Sequence, residues 1–208
     1  MLITIIGGSH GTGALLARLA QEAGHSVTVV SRSGDGPAGA RLIKGSATEA
    51  GVCAEAVTGA DAVVVTVGAA KGVHHQRAAV TRTVIEAMRR AGVRRLVVQS
   101  SVGAGGSASQ LPGSLRFITP ILLSKPLADH NEQEAAVTGS GLDWTVVRPT
   151  GLTDKAPQGS WLALDGTSRE TLLGTIARED LAAFMLSVLL DDATIGEAIS
   201  VSSRPAAN

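Results

Sequence analysis

Read for its hydrophobic and polar positions, the chain alternates short β-branched runs with longer stretches whose apolar residues recur at helical spacing. The short runs predict strands over Leu2–Ile6, Ser26–Val30, Arg41–Lys44, Ala62–Thr66, Arg95–Gln99, Thr145–Arg148 and Glu197–Val201. The longer stretches predict helices over Gly13–Ala23, Thr48–Thr58, His74–Ala91, Asp129–Thr138 and Arg178–Leu190. Along the stretch from His74, Val80, Val84, Ala87, Met88 and Ala91 fall on one side, opposite Arg82, Glu86, Arg89 and Arg90, so this helix should cover one face of a sheet. The strand runs are largely apolar rather than alternating, which implies burial on both faces and hence parallel strands sandwiched between helices. The expected fold is α/β: a single-domain doubly wound parallel sheet, or Rossmann fold, spanning residues 1–208.

Two stretches break the alternation. Val102 to Pro120 is rich in Gly and Ser, and Pro149 to Arg169 is long and irregular. Both follow strands at the end where open α/β sheets bind ligands, so residues of about 102–120 and 149–170 are expected to form a small substrate-side region.

Composition narrows the function. With 44% hydrophobic and 17% charged residues the chain can bury a full core, and disorder is excluded. Eighteen basic and eighteen acidic residues give a formal net charge of zero, which offers no long-range pull on a polyanion, so no nucleic-acid partner is expected. The apolar start Met1–Ile6 lacks a basic flank and is broken by Gly7-Gly8, so neither a leader nor a membrane association is expected. A single cysteine, Cys53, suits core packing in a reducing cytoplasm, and no zinc-like ligand spacing occurs, so no metal is expected. The chain has no tyrosine.

The first strand runs directly into Gly7-Gly8-Ser9-His10-Gly11-Thr12-Gly13 and then into an apolar helix. Glycines allow a tight turn and close approach of a pyrophosphate, while the helix N-terminus offers free amides and partial positive charge. In this strand–turn–helix context the motif reads as a dinucleotide site. At the end of the second strand an NAD enzyme places an acid against the ribose hydroxyl, but here Ser31-Arg32-Ser33 stands instead. Arg32 can pair with a 2′-phosphate, helped by the neighbouring hydroxyls, and this favours NADP(H). The alternative is a surface arginine, with Asp35 as the ribose acid. Further strand ends fall on the same crevice: Ser46-Ala47 beside the adenine, Thr66-Val67-Gly68 along the ribose, and Ser100-Ser101 toward the nicotinamide.

On these residues the chain resembles the atypical short-chain dehydrogenase/reductase superfamily, in the NAD(P)H-binding group that includes biliverdin reductase B (flavin reductase) and NmrA-like proteins. The resemblance also rests on Arg95-Leu96-Val97-Val98-Gln99-Ser100-Ser101, on Ser140-Gly141-Leu142-Asp143-Trp144-Thr145-Val146-Val147-Arg148-Pro149, and on Arg178-Glu179-Asp180-Leu181-Ala182. It implies that Pro149, Thr150, Gly151 and Leu152 lie against the nicotinamide side of the cofactor. His10 stands where the group usually has glycine, and Ser46 where it often has aspartate. Ordinary members use Tyr-x-x-x-Lys, with tyrosine as the proton donor, and that chemistry is closed to a chain without tyrosine. The candidate catalytic residues are therefore Ser101 and Lys125, the latter lying roughly where relatives carry the lysine. Hydride transfer to a planar acceptor, a flavin or a quinone, tolerates the missing acid because the acceptor takes its proton from water. The resemblance leaves two other readings: a non-catalytic NADP(H) sensor, or an epimerase or dehydratase-like enzyme, against which the absent tyrosine argues. A monomer or homodimer is expected.

The remaining conspicuous residues have two readings each. His74, His75 and the pair Asp129-His130 are either pocket residues or solvated helix positions, Trp161 and Phe117 either stacking platforms or loop plugs, and His10 either a phosphate contact or an outward-pointing side chain. Arg178-Glu179-Asp180 reads as a structural helix start, its acids complementing the dipole.

Overall fold

The computed structural model describes residues 1–68, 76–113, 115–116 and 123–204. In chain order the elements are β1 Leu2–Ile6, α1 Gly11–Glu22, β2 Ser26–Ser31, β3 Arg41–Lys44, α2 Ala50–Val57, β4 Ala62–Val65, α3 Gln76–Ala91 and β5 Arg95–Gln99. They continue with α4 Ser124–Thr138, β6 Asp143–Pro149, β7 Leu152–Thr153, β8 Trp161–Leu164, β9 Ile176–Ala177, α5 Arg178–Leu189 and β10 Glu197–Ser203. Eight strands form one sheet in the order β3-β2-β1-β4-β5-β6-β10-β8, parallel throughout except for β8, which runs antiparallel to β10 at the edge. The chain builds outward from β1 to β3 and then returns to start the other half at β4. The strand order therefore reverses between β1 and β4, the place where such sheets open a ligand crevice.

Neighbouring strand residues feed opposite faces. Ile6, Val63 and Val65 join Val80, Val84, Met88 and Val137 in the core beneath α2, α3 and α4. Ile3, Ile5, Ala62 and Val64 join Leu16, Leu181 and Met185 beneath α1 and α5. This two-sided burial explains why the strands read as unbroken apolar runs.

The departures from the sequence reading lie at ends and edges. The helix expected from Asp129 begins at Ser124, because Pro126 sits in its first turn, where no intrahelical N–H is required. Helix α1 begins at Gly11 rather than Gly13. The stretch after Pro149 is not irregular throughout: β7 and β9 pair in parallel, and β8 is held by β10 while Leu162 and Leu164 pack on Val102, Leu111 and Leu172. Short edge pairings of this kind depend on tertiary packing and leave little local signal. Trp161 is partly buried on β8, with its ring 5.6 Å from that of Phe184 in an edge-to-face contact. Cys53 is fully buried, as expected for core packing. His74, His75 and Phe117 lie outside the described residues. Among the described residues no helix is long and apolar enough to cross a membrane, and no cluster of potential metal ligands occurs.

Candidate functional site

The turn from β1 into α1 is built by steric exclusion. Gly7 has a φ of 89°, and a Cβ there would stand 3.2 Å from the backbone of Thr66 and Val67 at the end of β4. A Cβ on Gly13 would overlap Thr66 Oγ1 and come within 2.5 Å of the Gly7 carbonyl oxygen. Thr66 locks the joint by placing its hydroxyl 3.2 Å from the Ile6 carbonyl oxygen and 3.3 Å from that of Gly7. Gly8 is buried beneath Val29. The first turn of α1 has no side-chain cap, so its leading amides are left open to a ligand. His10, the residue before the helix, is exposed, with Nδ1 2.9 Å from Ser9 Oγ.

A cleft of about 390 Å³ opens over this turn, at the carboxyl ends of β1, β2, β4 and β5. Its walls bring together most of the residues expected at a dinucleotide: Gly7, Ser9, His10, Gly11 and Thr12 from the turn, and Ser31 and Arg32 from β2. Ser46, Ala47, Thr66, Val67, Gly68 and Leu152 also line it. Ser31 turns inward, its hydroxyl donating to the Asp35 carbonyl at 2.9 Å and accepting from the Gly34 amide at 3.1 Å, so it shapes the loop. Arg32 is exposed on the cleft wall with no ion-pair partner among the described residues. Asp35 and Ser33 are exposed but do not line the cleft. Among the described residues the lining contains two arginines and no acid.

The second arginine is Arg178, which the sequence assigned to a structural helix start. It does open α5, and it also borders the cleft, with Cδ and Nε 3.7 Å from the point a Cβ on Gly11 would occupy. Glu179 and Asp180 do serve the fold: Glu179 pairs with Arg18 at 2.6 Å, and Asp180 accepts the amides of Gln158 and Gly159, each at 2.9 Å. Gln99, at the end of β5, is a further lining residue that the sequence reading did not select.

Beyond Gln99 the site becomes a closed polar network. Ser100 is buried and donates its hydroxyl to Glu134 Oε1 at 2.5 Å. The same carboxylate receives Arg148 through Nε at 3.0 Å and Nη2 at 2.6 Å, a bidentate pair buried on both sides. His130 Nδ1 lies 3.4 Å from Ser100 Oγ and 3.3 Å from Gln133 Oε1, and Gln133 in turn donates to Thr81 at 3.1 Å. Burial, with the nearby Arg77 guanidinium assisting, pushes the His130 pKa down to about 4 and keeps the ring neutral. Asp129 accepts from the amides of Arg77 and Ala78 at 3.2 and 3.0 Å, fixing the start of α3 against α4. Asp129 and His130 are thus buried partners, and the solvated reading of them is corrected.

Several expected site residues stand outside the cleft wall. Gly8 and Gly13 form the joint beneath it. Ser101 is half-buried and donates to the Val102 carbonyl at 3.3 Å. Pro149 and Thr150 are buried, Gly151 is exposed, and Lys125 is exposed in the first turn of α4. Glu134 went unselected in the sequence because Asp129, His130, Gln133 and Glu134 put polar groups on a buried helical stripe, which reads as a solvated face.

Comparisons with known proteins agree with this geometry. Residues 7–192 match the NAD(P)H-binding family. UPF0659 protein C216.03 of Schizosaccharomyces pombe is 31% identical in an alignment covering 94% of this chain and 87% of that protein. Among solved structures, ChuY, an anaerobilin reductase from Escherichia coli O157:H7, superposes with a TM-score of 0.81 at 25% identity, covering 100% of this chain and 99% of that one. The oxidoreductase ylbE of Lactococcus lactis superposes at 0.83 with 16% identity, covering 98% and 91%. A Veillonella parvula short-chain dehydrogenase/reductase solved with NADP superposes at 0.83 with 19% identity, covering 99% and 95%. The chain belongs to the NAD(P)H-binding family, the group that the resemblance implied.

Proposed function

We propose that this member of the NAD(P)H-binding family is a reductase that uses NADP(H) and passes hydride to a flavin, a quinone or a similar planar acceptor. The observation that carries the cofactor preference is Arg32, an exposed cation at the end of β2 that, among the described residues, has no ion-pair partner and stands on a cleft wall lined by no acid. A 2′-phosphate supplies the missing anion, whereas NAD(H) leaves the guanidinium unpaired. Ser9 to Thr12 and the open amides of α1 would hold the pyrophosphate. Ser46 and Ala47 would flank the adenine, Ser33 would assist Arg32, and Thr66 to Gly68 would follow the ribose. Ser100, Ser101 and Pro149 to Leu152 would back the nicotinamide side.

When bound, the cofactor supplies a hydride. The chain's part is to hold the reactants in place rather than to supply a proton, since it has no tyrosine and Ser100 already donates its hydroxyl to Glu134. An acceptor ring that takes up the hydride with its two electrons and then draws one proton from water suits such a site. The likeness to ChuY, a reductase, supports this reading. Ser101 is the proposed contact to the carboxamide or the acceptor, while Lys125, away from the cleft wall, has no part in the proposal.

Calorimetric titration is expected to give about ten- to hundredfold tighter binding of NADPH than of NADH, the value of one charge-assisted phosphate contact, and Arg32→Ala should erase most of it. Equal affinities in the wild type would overturn the assignment. Turnover is then followed at the reduced nicotinamide absorbance with a panel of flavins and quinones, where Ser101→Ala should slow it only modestly. Tight NADPH binding without acceptor-dependent oxidation above the protein-free rate would replace the reductase by a dinucleotide sensor.

A further inference from the structure

We infer that Arg178 is a pyrophosphate-binding residue that exchanges its partner Asp154 for the dinucleotide, so that the two residues form a clasp beside the phosphate turn. The inference rests on the dinucleotide reading of the cleft. Strands β7 and β9 pair Leu152 with Ile176 and Thr153 with Ala177, and continuing that register sets Asp154 beside Arg178. The ion pair follows, with Arg178 Nη1 2.6 Å from Asp154 Oδ1.

The two partners are held very differently. The Asp154 side chain is 86% exposed, whereas that of Arg178 is 29% exposed, its stem lying against Gly11. An exposed pair contributes little to stability, so Arg178 gives up Asp154 at small cost. A pyrophosphate seated on the α1 amides offers two anionic groups beside Gly11, within the reach of a guanidinium already standing there. Arg32 and Arg178 then divide the work. The first, at the end of β2, meets the ribose phosphate that NADP(H) alone carries; the second, at the turn, meets the pyrophosphate common to both dinucleotides. Because Asp154 lies just beyond Leu152, a cleft-lining residue, releasing it also frees the loop that borders the nicotinamide side.

This division predicts a pattern that distinguishes the two arginines. In titrations with NADPH and NADH, Arg178→Ala should weaken both by a similar factor, about ten- to hundredfold, whereas Arg32→Ala weakens NADPH alone. Arg178→Lys should recover part of the loss, which separates lost charge from lost fold. Asp154→Asn should tighten both dinucleotides by a few-fold, because the competing carboxylate is gone. The inference is overturned if Arg178→Ala binds both as the wild type does, if its loss is confined to NADPH, or if Asp154→Asn leaves affinity unchanged or weakens it. A wild-type protein that binds neither dinucleotide would instead remove the dinucleotide reading, and the clasp with it.

Discussion

Gly13 shows how one missing side chain positions a whole helix. Its hydrogen-only side chain lets α1 stand against the end of β4, with Thr66 and the Gly7 carbonyl occupying the space a methyl group would need. Replacing it by alanine forces α1 away from the strand, at a cost of about 1–3 kcal/mol for overpacking, and moves the amides proposed to hold the pyrophosphate. Gly13→Ala is therefore expected to unfold at lower denaturant and to lose measurable NADPH binding while keeping a native-like circular dichroism spectrum. Wild-type affinity in the folded variant would contradict this account. At this scale the sequence was most informative where geometry demands one residue type. The turn Gly7 to Gly13 was legible because glycines at a strand–helix junction have few other uses. The place of Arg178 on the cleft wall was not, because an arginine at a helix start looks the same whether it faces solvent or a cleft.

Among the elements, α4 is the one whose polar positions the sequence leaves open between pocket and solvent, and the structure buries them. Its inward stripe carries Asp129, His130, Gln133 and Glu134, each hydrogen-bonded to α3, to β6 or to the end of β5. The parallel strands announced themselves through apolar runs, since residues buried on both faces leave no room for polar alternation. The inner face of α4 gave no such signal, because a satisfied buried network and a wetted surface use the same residues. The Arg148–Glu134 pair ties β6 to α4, and removing one member strands a buried charge. Arg148→Met alone should cost about 3–5 kcal/mol in denaturant unfolding, whereas Arg148→Met combined with Glu134→Leu should cost less than either change alone. Additive losses in that double-mutant cycle would show that the two side chains act independently.

For the whole molecule, the same network makes stability depend on acid. The ordinary histidine pKa is 6.5, and burial holds His130 at about 4, so between these values the unfolded chain binds a proton that the folded chain refuses. The sign follows: the contribution is intact above the unfolded value and is lost progressively as pH falls toward 4, amounting to about 3 kcal/mol over the interval. Asp143 does not blur that window. Its hydrogen bond from Arg94 lowers its pKa below the ordinary 3.8, so its own contribution disappears at lower pH. Asp129 and Glu134 face His130 from α4, and their attraction for the imidazolium is outweighed by burial together with the Arg77 charge. Urea unfolding of the full chain between pH 7.5 and 4.5 should therefore show stability falling with acid, and His130→Gln should flatten that slope even if it lowers stability at neutral pH. An unchanged slope in the variant would assign the acid sensitivity to other groups and remove His130 as its source.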